Sequence, residues 1–175
     1  VQTCALPISG VPWQRCQAHF TRNVTDAAPK RWREGLRTEL SSLFNCPTIE
    51  SARKRKLEIM ADYAELAPEA MSALDLGFDD AMTVMLLPEP MRRPLRTSNY
   101  IERLNKEVKR RSNVVGVFPS EASALRLMVA FLIEENDRWS AQRRLYYRPA
   151  VEELESKRPE LLDAAKRQSE LIKVA

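Results

Sequence analysis

Within TSNYIERLNKEVKRR, residues 97–111, two carboxylates stand among lysines and arginines just after a helix-start signal. A carboxylate in such surroundings can hold a divalent cation beside a polyanion, cap the helix, or keep a basic helix soluble. Helical geometry separates the two. With Ile101 at about 0°, Leu104 and Val108 fall at about 300° and 340°, a stripe expected to be buried. Asn105, Lys109 and Glu102 fall at about 40°, 80° and 100°, on one polar edge beside it. Glu107 lies at about 240°, between Arg103 and Arg111, and reads as a solvated ion-pair residue. Glu102 therefore stands where a site carboxylate belongs. It also fits a capping box, with Asn99 as N-cap and Glu102 at the third helical position, worth about 1 kcal/mol. On spacing alone the cap is the simpler reading, and both remain open.

The surrounding charge favours an anionic partner. Between Met91 and Arg111 eight cations (Arg92, Arg93, Arg96, Arg103, Lys106, Lys109, Arg110 and Arg111) face only Glu102 and Glu107. That segment is net +6 in a chain of net +4, so the remainder is net −2. Such a run is commonly a solvated helix face, but this concentration exceeds what solubility requires. A phosphate backbone is the natural partner, through Coulomb attraction and counterion release.

A second cluster is Cys16-Gln17-Ala18-His19, which holds the only histidine. Structural zinc takes four ligands, usually from two such pairs, and only Cys46 remains to contribute, so zinc is not expected. From spacing alone, Cys16 reads as a small buried residue and His19 as a hydrogen-bonded one. Asp62, Asp79 and Asp80 are isolated acids suited to caps or surface.

These residues need elements to position them, and the 3.6-residue period dominates, so a mainly α chain is expected. Residues 10–20 are ambiguous between a strand and a helix start. Trp32, Leu36, Leu40 and Leu43 mark a helix opening at Pro29-Lys30. Pro47-Thr48 opens another, to about Leu66, and Pro68 and Gly77 punctuate two shorter ones. Residues 88–96, PEPMRRPLR, read as a basic linker without period. A helix from about Asn99 to Arg111 leads into the loop SNVVGVFPS, and Ser120 caps a long helix expected at the centre of a core, since LRLMVAFLI is apolar nearly all round. From Pro149 the chain is a charged, marginally helical tail. No apolar run reaches the roughly 18 residues of a membrane span, so no membrane partner is expected. Three widely spaced cysteines make no disulfide framework, and a reducing cytoplasm is the expected compartment.

The blocks WQRCQAHFTRN and LRTSNYIERLNKEVKRRSNVVGVFPS, followed by a helix ending ENDRW, resemble the Mutator-type transposases of bacterial insertion sequences over roughly residues 10–140. The resemblance implies membership of the DDE superfamily, with a ribonuclease H-like α/β catalytic fold interrupted by an all-helical insertion. It implies that Glu102 is the third catalytic carboxylate and a metal ligand. Lys109 would be the basic residue that follows it, and Cys16 and His19 the C-x-x-H element. With Asn99 and Asn105 they make up the motif. The implied cofactor is Mg²⁺, whose oxygen ligands come from three carboxylates, and two such ions about 3.5–4 Å apart serve strand cleavage and transfer. The implied partner is DNA, both transposon ends and target, met by Lys109, Lys106, Arg110, Arg111 and Arg96. A homo-oligomer is implied too.

On this reading residues 1–9 are an artefact, because VQTCALPI resembles a translated sequencing adapter. Residues 10–28 are a remnant of the ribonuclease H-like core, which largely lacks its sheet. Residues 29–96 are the helical insertion and basic linker, 97–148 the C-terminal helices of the catalytic core, and 149–175 the charged tail. The family's two catalytic aspartates precede the C-x-x-H element, and no aspartate precedes Trp13 here. The chain alone is therefore expected to be inactive, with the apolar faces of residues 101–133 exposed. The competing readings are a non-catalytic DNA-binding helical module, in which Glu102 only caps, and a helical domain that meets an acidic protein.

Overall fold

Leu36, Leu40 and Leu43 recur at helical spacing, and in the computed structural model they line the buried face of one helix. The structure describes residues 13–141 and 148–174; residues 1–9 lie outside them. All regular structure among the described residues is helical, so the mainly α expectation holds and no strand of a ribonuclease H-like sheet is seen there. The chain divides into two units, residues 1–97 with 147–175, and residues 98–146.

The first, the helical unit, contains α1 (Gln17–Asp26), α2 (Arg33–Phe44), α3 (Ile49–Tyr63), α4 (Pro68–Met82), α5 (Glu89–Leu95), α8 (Arg148–Lys157) and α9 (Pro159–Val174), with 3₁₀ turns at Lys30–Trp32 and Thr83–Leu86. Its core joins Phe20 and Val24 of α1, the three α2 leucines, Ala52 and Ile59 of α3, and Leu74 and Phe78 of α4. Full burial of each large side chain contributes about 1.5–3 kcal/mol. Thr48 caps α3, its hydroxyl accepting from the Ser51 amide at 3.2 Å while the Ser51 hydroxyl bonds back to the Thr48 backbone. Lys56 of α3 binds Asp75 of α4 at 2.5 Å and lies 4.9 Å over the Phe78 ring.

One ambiguity is resolved in this unit and three expectations are corrected. Of the two readings of residues 10–20, the described part follows the helix start, with α1 beginning at Gln17. Gln14 and Gln17 both donate to the Ala81 carbonyl (2.9 and 2.8 Å), and Gln14 Oε1 accepts from the Val84 amide. These bonds tie the segment to the end of α4, after which Phe20 and Val24 turn onto one helical face. Gly77 does not divide α4. It sits at the closest approach of α1, where a Cβ would collide with the Phe20 ring and the Arg15 guanidinium, so its missing side chain serves packing. Residues 88–96 are not irregular. Proline in the first turn of α5 forfeits only an amide with no intrahelical partner. Arg92 also fastens the helix by donating to the carbonyls of Leu87 (2.8 Å), Pro47 (3.1 Å) and Met85 (3.3 Å). The charged tail forms α8 and α9, which bury Ala150, Leu154 and Ala164, and α8 packs against α5.

The second unit is an α-hairpin of α6 (Asn99–Val115) and α7 (Glu121–Ala141). Gly116 ends α6 at φ +72°, a conformation glycine adopts without strain. As expected, Ser120 caps α7, its hydroxyl accepting from the Ser123 amide at 3.2 Å. Tyr100 meets Trp139 edge to face (5.7 Å), and Arg111 stacks over Phe131 (4.3 Å) and pairs with Glu134 (3.4 Å), so the two helices run antiparallel. The expectation of α7 at the centre of a core is corrected. Only Phe131 is buried on it, while Leu125, Val129, Leu132, Ile133 and Trp139 are exposed. Two helices alone cannot surround a face that is apolar nearly all round.

Candidate catalytic and nucleic-acid site

Glu102 lies in the first turn of α6, exposed. The N-cap is Ser98, one residue earlier than expected, so Asn99 is the first helical residue and Glu102 the fourth. That shift removes the capping box. The Glu102 amide is already used in the first i→i−4 bond, to the Ser98 carbonyl (3.0 Å), and the Ser98 hydroxyl donates to Glu102 Oε1 at 2.5 Å. The carboxylate is thus oriented by a hydroxyl one turn back, at a helix N-terminus whose partial positive charge favours an anion. A carboxylate can accept from such a hydroxyl and also coordinate a cation. The i,i+4 spacing of Ser98 and Glu102 is the readable signal for this tie, and the capping-box expectation overlooks it.

Glu107 behaves differently. It receives two bonds from Arg110, Nε to Oε2 (2.8 Å) and Nη2 to Oε1 (2.7 Å), and one from Arg111 Nε (3.1 Å). Those bonds, Arg110's foremost, hold its carboxyl down at about 2 from an ordinary 4.5. The Arg110 guanidinium is correspondingly raised by Glu107. Glu107 is an ion-pair residue as expected, but Arg110 replaces Arg103 as its partner. It is half-buried rather than fully solvated.

The expected buried stripe of α6 is also corrected. Ile101 is 64% exposed, and Leu104 and Val108 are half-buried against α7. Asn105, Lys106 and Lys109 are exposed on α6, and among the described residues neither lysine makes an ion pair. Arg110 and Arg111 are turned to Glu107 and, for Arg111, to Glu134 and Phe131. A groove of about 550 Å³ between the hairpin helices is walled mainly by Tyr100, Ile101, Leu104, Phe131, Leu132 and Trp139.

The remaining sequence candidates belong to the helical unit. Cys16 is half-buried at the N-cap of α1, where its carbonyl accepts from the Phe20 amide at 2.9 Å. His19 is exposed in the first turn of α1. Arg96 follows α5 and donates to the Phe44 carbonyl (3.2 Å) and Asn45 Oδ1 (3.0 Å). Its own carbonyl accepts from the Gln17 amide (2.9 Å).

One family model and the single relatives agree. A sequence model described as "Transposase, Mutator family" matches residues 2–142. The chain is 36% identical over 140 residues to the transposase for insertion sequence element IS256 in transposon Tn4001 of Staphylococcus aureus, covering 79% of this chain and 36% of that protein. It is 36% identical over 132 residues to the transposase for IS1081 of Mycobacterium tuberculosis, covering 75% and 32%. It is 31% identical over 127 residues to that for ISRM5 of Rhizobium meliloti, covering 73% and 32%. The chain therefore spans about a third of the length of the curated relatives it matches. No solved structure matches it.

Proposed function

The chain belongs to the Mutator family of transposases, and from that premise we propose that it forms part of a DDE enzyme that cuts and joins DNA strands when an insertion sequence moves. Glu102 is the carboxylate it contributes to catalysis. The observation that carries this assignment is the place of Glu102: exposed in the first turn of a basic helix and oriented by the Ser98 hydroxyl. The surrounding ribonuclease H-like fold and the action of the protein as a homo-oligomer belong to the same proposal.

The donor set bears on Mg²⁺. A hard cation takes oxygen ligands, and an exposed carboxylate fixed by a neighbouring hydroxyl fits one such position. When bound, Mg²⁺ would supply Lewis-acid stabilisation of the attacking and leaving oxygens at phosphorus. The chain's own residues then have defined tasks. Glu102 offers an oxygen to the ion, and Ser98 holds the carboxylate in its rotamer. Lys106 and Lys109, on the exposed surface of α6, attract and position the DNA backbone. Asn105, one helical turn after Ile101, offers an amide to the same polar edge.

The test is excision in a full-length transposase carrying this chain. Glu102→Gln keeps the size of the side chain and its ability to accept from Ser98, but removes the charge. It is expected to abolish excision, at least a hundredfold below wild type, while DNA binding survives. Excision retained by Glu102→Gln would reject the metal-ligand role and leave a basic helical DNA-binding module.

A further inference from the structure

The net +6 segment divides between the two units, and its first part lines a cleft of the helical unit. There a cavity of about 1230 Å³ opens between α5 and α8. Arg92, Arg93 and Arg96 stand on one side, and Lys157 and Arg158, at the end of α8, on the other. Two carboxylates, Glu89 and Glu153, share the lining. Glu153 is taken by Lys157 (2.9 Å), and Arg158 binds Glu160 (2.6 Å).

The α5 arginines differ from those pairs. Arg92 and Arg96 spend their bonds on backbone carbonyls and one amide oxygen, which fix the guanidinium groups without cancelling their charge. Arg93 is exposed, and among the described residues it makes no ion pair. Five cations line the cleft against two carboxylates, and Arg92 and Arg96 are held there by neutral oxygens, so it presents a standing positive potential. It is larger than the roughly 300–1,000 Å³ of a small-molecule pocket and lacks the mainly apolar lining of one. An extended polyanion that passes through, rather than a small anion held inside, suits it.

We propose that this cleft is a second DNA-binding surface, which takes the phosphate backbone independently of α6. That the polyanion is DNA rests on the transposase reading. The cleft itself rests on the arginines and their carbonyl partners. It would hold DNA through side chains other than those of the catalytic helix.

The test uses the whole chain and a short fluorescent DNA duplex of arbitrary sequence, with binding followed by polarisation from about 50 to about 200 mM salt. Arg93→Gln with Lys157→Gln alters two exposed side chains and should leave the melting temperature unchanged. The slope of log affinity against log salt is expected to become shallower by about 0.9 for each phosphate the variant no longer neutralises. Arg93→Lys with Lys157→Arg, which keeps the charge, is expected to restore it. An unchanged slope in the glutamine variant, no rescue by the charge-keeping variant, or no DNA binding by the wild-type chain would each overturn the proposal. The excision assay on Glu102→Gln fails or succeeds separately. If excision survives that change while the cleft variant loses its slope, the catalytic reading falls and the cleft stands; the reverse pair of results does the opposite.

Discussion

Glu102 and Glu107 show how two carboxylates on one basic helix acquire different chemistry. Helical side chains lean toward the N-terminus, so Arg110 and Arg111 reach back to Glu107, whereas Arg103 leans away from it. An acid ahead of its cation is also the better order along the helix dipole. The Glu107 carboxyl is accordingly held down at about 2, by Arg110 first and Arg111 second. A depressed carboxyl stabilises the fold above its ordinary value of 4.5, and that contribution is lost as pH falls through about 2. Carbon-detected NMR titration of the side-chain carboxyl is expected to place its midpoint near 2. Arg110→Gln should raise that midpoint toward 4.5, with Arg111 still holding it below that value. A midpoint already at 4.5 in the wild-type chain would show that the arginine fork does not persist in solution.

Among the helices, what was legible in the sequence was what neighbours within a turn or two decide. The leucine stripe of α2, Thr48 at the head of α3 and Ser120 at the head of α7 needed only local spacing. What was not legible depended on partners far along the chain. Gly77 read as a helix end, yet it is the point where α1 lies against α4. Residues 88–96 read as a linker because the carbonyls that fasten Arg92 include Pro47, which no local pattern connects with it. Glu102 stands out in the sequence by its place on the polar edge. The cap boundary slipped by one residue, since Ser98 and Asn99 are both good N-cap types. Gly77 carries a prediction. Alanine normally improves a helix interior by about 1 kcal/mol over glycine, but here a Cβ meets the buried Phe20 ring. Gly77→Val should therefore destabilise the helical unit by about 1–3 kcal/mol, read from urea unfolding. Equal or greater stability would mean that α1 does not pack this closely.

Taken whole, the chain offers, on the proposed reading, one catalytic carboxylate and two groups of cations, and it spans about a third of the length of its curated relatives. A single carboxylate is too few to hold a pair of Mg²⁺ ions. Incubated alone with supercoiled plasmid and Mg²⁺, the chain is expected to bind DNA but leave it unnicked. Mg²⁺-dependent nicking that disappears in Glu102→Ala would show that no further acids are required. The hairpin leaves Leu125, Val129, Ile133 and Trp139 exposed, as expected for helices read as part of a larger catalytic domain.

The two glutamines that lead into α1 have a consequence for the order of assembly. Their partners, Ala81 and Val84, lie 64 to 70 residues further along the chain. Ring closure over that span has an entropic penalty that local helix formation does not. During synthesis the stretch bearing Cys16 and His19 emerges ahead of α4, and it has nothing to dock on until the end of α4 has followed. It is fastened only after the helices between have been made.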